Sequence, residues 1–143
     1  MVKIGIDGFG RIGRSFFKIA QRFSDDMEIV AINDIGTPKQ MSHLLKYDSI
    51  YGIMPNDVSY DEGHIIVDGK PYPLFQEKNV KDVDWDGLGV DVLVESSGVY
   101  SGRIHASSQD RLPLGGSVKK VIITSPSTID DITVVLGVNE NEY

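Results

Sequence analysis

The chain has 143 residues, 41% of them hydrophobic and 24% charged, with a formal net charge of −7. This is ordinary usage for one globular domain that buries a core, and it excludes disordered and collagen-like classes. No apolar run approaches the roughly 20 residues that span a bilayer, the start lacks a signal-peptide pattern, and an acidic surface without a Lys/Arg run repels nucleic-acid phosphates. The expectation is therefore a cytoplasmic protein that engages neither membrane nor nucleic acid. Having no cysteine, these residues hold no disulfide, thiolate zinc site or cysteine nucleophile.

The opening residues Met1–Ile6 are an apolar run, and Val2–Ile6 reads as a buried strand because Ile and Val suit the pleat. Gly8-Phe9-Gly10-Arg11-Ile12-Gly13 follows at once. In Arg11–Phe23, Phe16, Phe17, Ile19, Ala20 and Phe23 recur at near-helical spacing, predicting a helix with one apolar face that Ser24-Asp25-Asp26 ends. Glu28–Ile32 reads as the second strand, and Asn33-Asp34 lies at its carboxyl end, where open parallel sheets bind ligands.

This is the setting that gives a G-x-G-x-x-G motif meaning. Gly8, Gly10 and Gly13 allow a sharp turn, close approach to a pyrophosphate and tight helix–strand packing. The helix that begins near Arg11 aims its free N–H groups at the pyrophosphate. Asp34 falls about 20 positions later, the spacing at which a carboxylate reaches the ribose hydroxyls. Its charge disfavours the 2′-phosphate of NADP, an effect that Lys39 offsets only a little, so the expected cofactor is NAD.

Pro38 suits the first turn of a helix running to about Tyr47, with Met41, Leu44 and Leu45 apolar. Ile65–Val67, then Asp68-Gly69, then Lys70–Leu74 predicts a hairpin, since Asp-Gly favours the primed turns. Asp82–Gly89 reads as an acidic turn. Val90–Val94 and Val118–Ile123 read as buried strands, joined by a partly helical segment that Pro113 and Gly115-Gly116 bound. Ile132–Leu136 reads as a last strand. Strands alternating with helices predict an α/β, Rossmann-type doubly wound, mostly parallel sheet with an inserted antiparallel hairpin, forming one domain over 1–143.

Other constellations are weaker. His43, His64 and His105 lack the fixed short spacings of metal ligands and read as surface or helix polar groups. A triad of Ser97, His105 and Asp110 has no nucleophile elbow to support it. Asp82, Asp84 and Asp86 alternate, yet lack the glycine and terminal glutamate of a calcium loop. Phe16, Phe23 and Met41 are assigned to the core.

Six stretches together resemble the NAD domain of the phosphorylating glyceraldehyde-3-phosphate dehydrogenases, in the family's order and over nearly the whole chain. They are Lys3–Arg14, Ala31–Asp34, Leu44–Ser49, Glu95–Tyr100, Lys119–Pro126 and Thr133–Asn139. The resemblance implies that Arg11 and Ile12 present backbone N–H groups to the pyrophosphate and that Asp34 holds the adenosine ribose. It places Lys78 where the family has an arginine near the adenine. Ser97, Gly98 and Tyr100 match the loop lining the adenine and ribose cleft, and Thr124 matches a hydroxyl residue near the nicotinamide ribose.

What the resemblance further implies concerns a longer parent. In the family a Ser-Cys-Thr-Thr-Asn segment with the nucleophilic cysteine follows soon after the stretch matching the end of this chain. The activating histidine and the substrate-binding residues come later still. The expectation is a cofactor domain, inactive alone, whose catalytic domain lies outside it. The parent would be a homotetramer that oxidatively phosphorylates glyceraldehyde 3-phosphate to 1,3-bisphosphoglycerate with reduction of NAD. Erythrose-4-phosphate dehydrogenase and a free-standing NAD-sensing module are the alternatives.

Two departures from the family stand out. Asp7 replaces an asparagine just before the glycine turn. A carboxylate has no donor and repels a nearby phosphate, so weaker binding is expected unless Arg11 or Arg14 neutralises it. The stretch Ser101–Ser117 is longer than the family pattern and reads as a surface variation.

Overall fold

The computed structural model describes residues 1–99, 116–127 and 130–143. Tyr100, His105, the Ser97–His105–Asp110 combination and nearly all of Ser101–Ser117 therefore lie outside the described residues.

Five strands build the parallel part of the main sheet: β1 (Val2–Asp7), β2 (Met27–Asn33), β7 (Lys70–Phe75), β8 (Val92–Glu95) and β9 (Lys120–Ile123). Their spatial order is β7-β2-β1-β8-β9, with every neighbouring pair parallel. Strand order reverses at β1, which has the second strand on one side and a later one on the other. The crevice at the carboxyl ends of β1 and β8 is the topological switch point at which doubly wound sheets bind ligands.

Alternation along β1 separates two apolar layers. Ile4 and Ile6 face one core with Phe17, Ile29, Ile32, Leu45 and Leu74. The other core holds Trp85, Ala31, Val80, Val90 and Leu93. Gly5 belongs to the second layer by parity, and a Cβ there would lie 2.7 Å from Trp85 Cζ3. The indole is fully buried, and its Nε1 donates to Val80 O over 2.7 Å. The acidic Asp82–Gly89 turn thus carries the anchor of a whole layer.

Helix α1 (Arg11–Ala20) continues as a 3-10 turn through Gln21–Phe23. It buries Gly13, Phe17 and Ala20, with Phe16 packed at the margin. Ile19 and Phe23 are 54% and 50% exposed, which corrects the expected single face and the assignment of Phe23 to the core. The i, i+4 row from Gly13 to Phe17 faces the sheet, and Ile19, two positions on, turns away from it. Phe17 meets Phe9 at 5.6 Å and Tyr72 at 4.9 Å, both edge-on, so an aromatic column joins the glycine turn, the helix and β7.

Helix α2 (Pro38–Lys46) begins with a Thr37/Gln40 capping box and Pro38 in its first turn, an arrangement worth about 1 kcal/mol. Met41 and Leu45 are buried; Leu44 is exposed. Two short strands, β3 (Tyr47–Asp48) and β4 (Gly52–Ile53), pair antiparallel beside it.

The predicted hairpin forms between β6 (His64–Val67) and β7, with β5 (Val58–Tyr60) antiparallel on its outer edge. Asp68 and Gly69 both have positive φ, 50° and 79°, as a type I′ turn requires. The hairpin is an edge extension: β7 itself pairs parallel with β2.

One predicted strand does not form. Ile132–Leu136 is irregular in the structure. Its polar backbone groups find Asn139, whose amide donates to Thr133 O (3.0 Å) and whose Oδ1 accepts from Val135 N–H (2.7 Å). A side chain that bonds nearby backbone competes with a strand ladder.

Candidate functional site

The site is built at the ends of β1, β2 and β8. Gly8 leaves β1 with φ +87°, and its N–H donates to Asn33 O over 2.8 Å. A Cβ on Gly8 would lie 2.3 Å from the backbone N of Ser97, and one on Gly13 would lie 2.1 Å from Gly8 O. Packing alone therefore demands both glycines. Gly10 differs, because a Cβ there would meet nothing within 4 Å and its φ is −71°. Among the described residues no neighbour accounts for a glycine at that place.

Gly10 is the N-cap of α1 and offers no side-chain cap, and the first helical turn contains no acidic residue. The first bond across this end runs from Arg14 N–H to Gly10 O at 3.0 Å. The amides of Arg11, Ile12 and Gly13 precede it, at the positive end of the helix dipole. The Arg11 side chain turns away, donating to Asp48 at 3.0 Å, where Lys18 joins it at 3.3 Å. The backbone N–H of Ile50, then that of Tyr51, then Arg11 hold the Asp48 carboxyl well below the usual range.

Asp34 follows β2 and faces the turn. Its Oδ2 accepts from Phe9 N–H at 2.7 Å and its Oδ1 from Gly36 N–H at 2.8 Å. From Asp34 an open groove of about 970 Å³ runs between α2 and β5, past Lys39, His43 and Tyr60. It shares only Asp34 with the motif residues. It thus extends from Asp34 away from the glycine turn.

Beneath the turn lies a row of polar residues. Asn33, Asp7 and Glu95 stand in register on β2, β1 and β8. All three are buried. Asn33 Nδ2 donates to Asp7 Oδ1 at 2.7 Å and to Glu77 O at 3.0 Å, and Asn33 Oδ1 accepts from Glu77 N–H at 2.9 Å. Burial above all, then the nearby carboxylates of Glu95 and Asp34, push the Asp7 carboxyl up to about 6, against the lowering effect of the Asn33 bond. Neither arginine neutralises Asp7, so the condition that would have offset its charge is not met. Arg11 is committed to Asp48, and Arg14, lowered by burial and by Arg11, donates to Phe9 O at 2.9 Å.

Glu95 organises the β8 end. Its Oε1 accepts from both the backbone N–H (2.8 Å) and the hydroxyl of Ser97. Its backbone O accepts from Thr124 N–H (3.0 Å) and Thr124 Oγ1 (3.2 Å). Ser96 Oγ donates to Gly8 O at 2.6 Å, tying the β8 loop to the glycine turn.

The structure thus gathers Gly8, Gly10, Arg11, Ile12, Gly13, Asp34 and Ser97 at the switch point, with Gly98 next in the loop at φ +77°. Thr124 joins them through Glu95, and exposed Lys78 follows the Glu77 that Asn33 holds. Sequence reasoning left Asn33, Glu95 and Ser96 without roles. The signal was present, since three apolar runs each end in a polar residue: Ile6-Asp7, Ile32-Asn33 and Val94-Glu95. His43 instead lies against the Tyr47 ring at 4.9 Å, and His64 bonds Asp61 at 2.8 Å. Among the described residues no cluster of His, Cys, Asp and Glu could hold a metal, and no helix is long and apolar enough to cross a membrane.

The 3-2-1-4-5 order of the parallel strands, the glycine turn at the switch point and the acid after β2 define a dinucleotide-binding domain of the doubly wound class. Comparison with known proteins makes this specific. The family described as glyceraldehyde 3-phosphate dehydrogenase, NAD binding domain, matches residues 2–103. Glyceraldehyde-3-phosphate dehydrogenase of Streptomyces coelicolor is 42% identical over 142 residues, 99% of this chain and 41% of that protein. Glyceraldehyde-3-phosphate dehydrogenase 1 of Bacillus cereus is 46% identical over 143 residues, 100% of this chain and 41% of its own. The Thermotoga maritima enzyme is 46% identical over 143 residues, covering 99% and 42%. The chain belongs to the glyceraldehyde-3-phosphate dehydrogenase family as its NAD-binding domain. It spans 41–42% of the length of these relatives.

Proposed function

We propose that residues 1–143 act as the single NAD-binding domain of a phosphorylating glyceraldehyde-3-phosphate dehydrogenase. In the parent the chemistry is completed by residues outside this chain. Gly8, Gly10 and Gly13 shape the turn under the pyrophosphate, and the amides of Arg11 and Ile12 donate to it. Asp34 receives the adenosine ribose hydroxyls, with Lys78 beside the adenine. Ser97 and Gly98 line the cleft, and Thr124 stands toward the nicotinamide ribose. NAD supplies hydride-accepting chemistry, while the chain supplies binding, orientation and electrostatics.

Gly10 carries this reading. Gly8 and Gly13 are explained by contacts within the chain, whereas Gly10 has open space where a Cβ would go. A backbone left bare toward solvent at a helix N-terminus is what a closely approaching pyrophosphate needs. The parent's substrate is then glyceraldehyde 3-phosphate, oxidised to 1,3-bisphosphoglycerate in the cytoplasm by a homotetramer. With no cysteine in these residues, the nucleophile comes from elsewhere in the parent.

Calorimetric titration of this chain with NAD and with NADP is the test. Binding of NAD in preference to NADP is expected. Absence of NAD binding at millimolar concentration, or equal affinity for both, contradicts the reading. In the same preparation, glyceraldehyde 3-phosphate, phosphate and NAD should yield no NADH; its formation contradicts the division of labour.

A further inference from the structure

Asp7 and Glu95 are two carboxyl groups directly opposite each other on adjacent parallel strands, where neighbouring backbones run about 4.8 Å apart. Both are buried: Asp7 is 4% exposed and Glu95 0%. Ser97 satisfies Glu95 Oε1 twice, whereas Oε2 is buried without a hydrogen-bond partner among the described residues. The donor missing at Glu95 Oε2 is one that an ionised Asp7 does not possess. A protonated Asp7, or an asparagine in its place, has such a donor.

Among the described residues no cation pairs with Asp7. From β2 comes the Asn33 amide, from the end of β2 the Asp34 carboxylate, from β8 Glu95, and from the β8 loop Ser96, which bonds the Asp7 backbone O. Helix α1 brings Arg14, whose guanidinium donates to Phe9 O. Burial raises Asp7 to about 6, so its proton exchanges within the physiological range. Immediately above lies the turn at which, on the reading already given, the doubly charged pyrophosphate of NAD settles. Bringing that charge over an ionised Asp7 is unfavourable, and over a neutral one it is not.

We propose that NAD binding to this domain takes up a proton at Asp7, which then donates its O–H toward Glu95 Oε2. The cofactor site is thereby tuned by pH, tightening as the solution becomes more acidic. The proton comes from solvent and returns to it on release. This inference rests on the NAD-binding reading and adds to it the ionisation that accompanies binding. A one-unit rise of the Asp7 pKa in the complex corresponds to about tenfold in affinity between the two protonation states.

Calorimetric titration of the 143-residue chain with NAD from pH 8 to pH 5.5, in buffers of differing ionisation heat, tests it, with Asp7→Asn measured alongside. His43, in the groove beyond Asp34, is common to both proteins, so their difference isolates Asp7. NAD should bind the native chain about fivefold or more tightly at pH 5.5 than at pH 8, with net proton uptake near pH 6. Asp7→Asn should bind without that slope, and more tightly than the native chain at pH 8. Binding that is flat with pH, or an equal slope in Asp7→Asn, overturns this inference and leaves the NAD reading intact. No binding at any pH overturns both.

Discussion

The backbone N–H of Phe9 donates to the Asp34 carboxylate over 2.7 Å, across 25 positions of sequence. The glycine turn and the acid at the end of β2 are thus one hydrogen-bonded unit, braced from the other side by Gly36 N–H. Phe9 supplies its own anchor, since its side chain is fully buried against Phe17. The part of the turn that faces the ligand is held from behind before any ligand arrives.

Asp34→Ala is therefore expected to act twice. It removes the ribose acceptor, and it leaves the Phe9 amide without its partner, at a cost of about 1–3 kcal/mol. NAD affinity should fall at least about tenfold, corresponding to about 1.4 kcal/mol, with a lower melting temperature. Calorimetry and thermal melts of the variant check both. Unchanged stability would show that the bond to Phe9 N–H contributes nothing.

Gly8→Ala and Gly10→Ala should separate packing from binding. At Gly8 a methyl meets Ser97 N at 2.3 Å in a backbone of φ +87°, so a loss of at least about 2 kcal/mol is expected. At Gly10 the methyl meets open space, and stability should hold within about 1 kcal/mol. Urea unfolding of the two variants gives the comparison.

Stability should also depend on pH through Asp7. Its folded pKa, about 6, lies above the ordinary value of 3.8. Between these values the folded state holds the proton more firmly than the unfolded one, so stability falls as pH rises from about 4 through 6. At pH 7 the ionised, buried group costs on the order of 2–3 kcal/mol. Asp7→Asn should raise the melting temperature at pH 7.5 and lose that advantage below pH 4. An Asp7→Asn difference independent of pH would contradict the assignment.

Trp85, the single tryptophan, reports on the second core layer. Gly5→Ala places a Cβ 2.7 Å from its ring, and such overpacking costs about 1–3 kcal/mol. The expected signature is red-shifted fluorescence in the folded state. An unshifted spectrum with native stability would mean that the indole relaxes without loss.

What was legible in the sequence follows from the range of the signals. The strands read at Val2–Ile6 and Glu28–Ile32, the glycine turn, the Pro38 helix and the Asp68-Gly69 hairpin are local patterns, and all are present. Asn33 and Glu95 gained their roles only through strand register with Asp7, which joins residues far apart in the chain. Trp85 was masked by the acidic turn that carries it. Ile132–Leu136 has strand composition, yet Asn139 bonds its backbone locally. Ile19 and Phe23 show that apolar residues spaced within a helix need not share its buried side.

The most direct measurement is an amide NMR titration of the ¹⁵N-labelled chain with NAD, with Gly10→Ala in parallel. Saturable shifts concentrated at Gly8, Gly10, Arg11, Ile12, Gly13, Asp34 and Ser97 are expected, with binding weakened at least about tenfold in a folded Gly10→Ala. Shifts confined to other surfaces, or undiminished binding by Gly10→Ala, would contradict the NAD-binding reading.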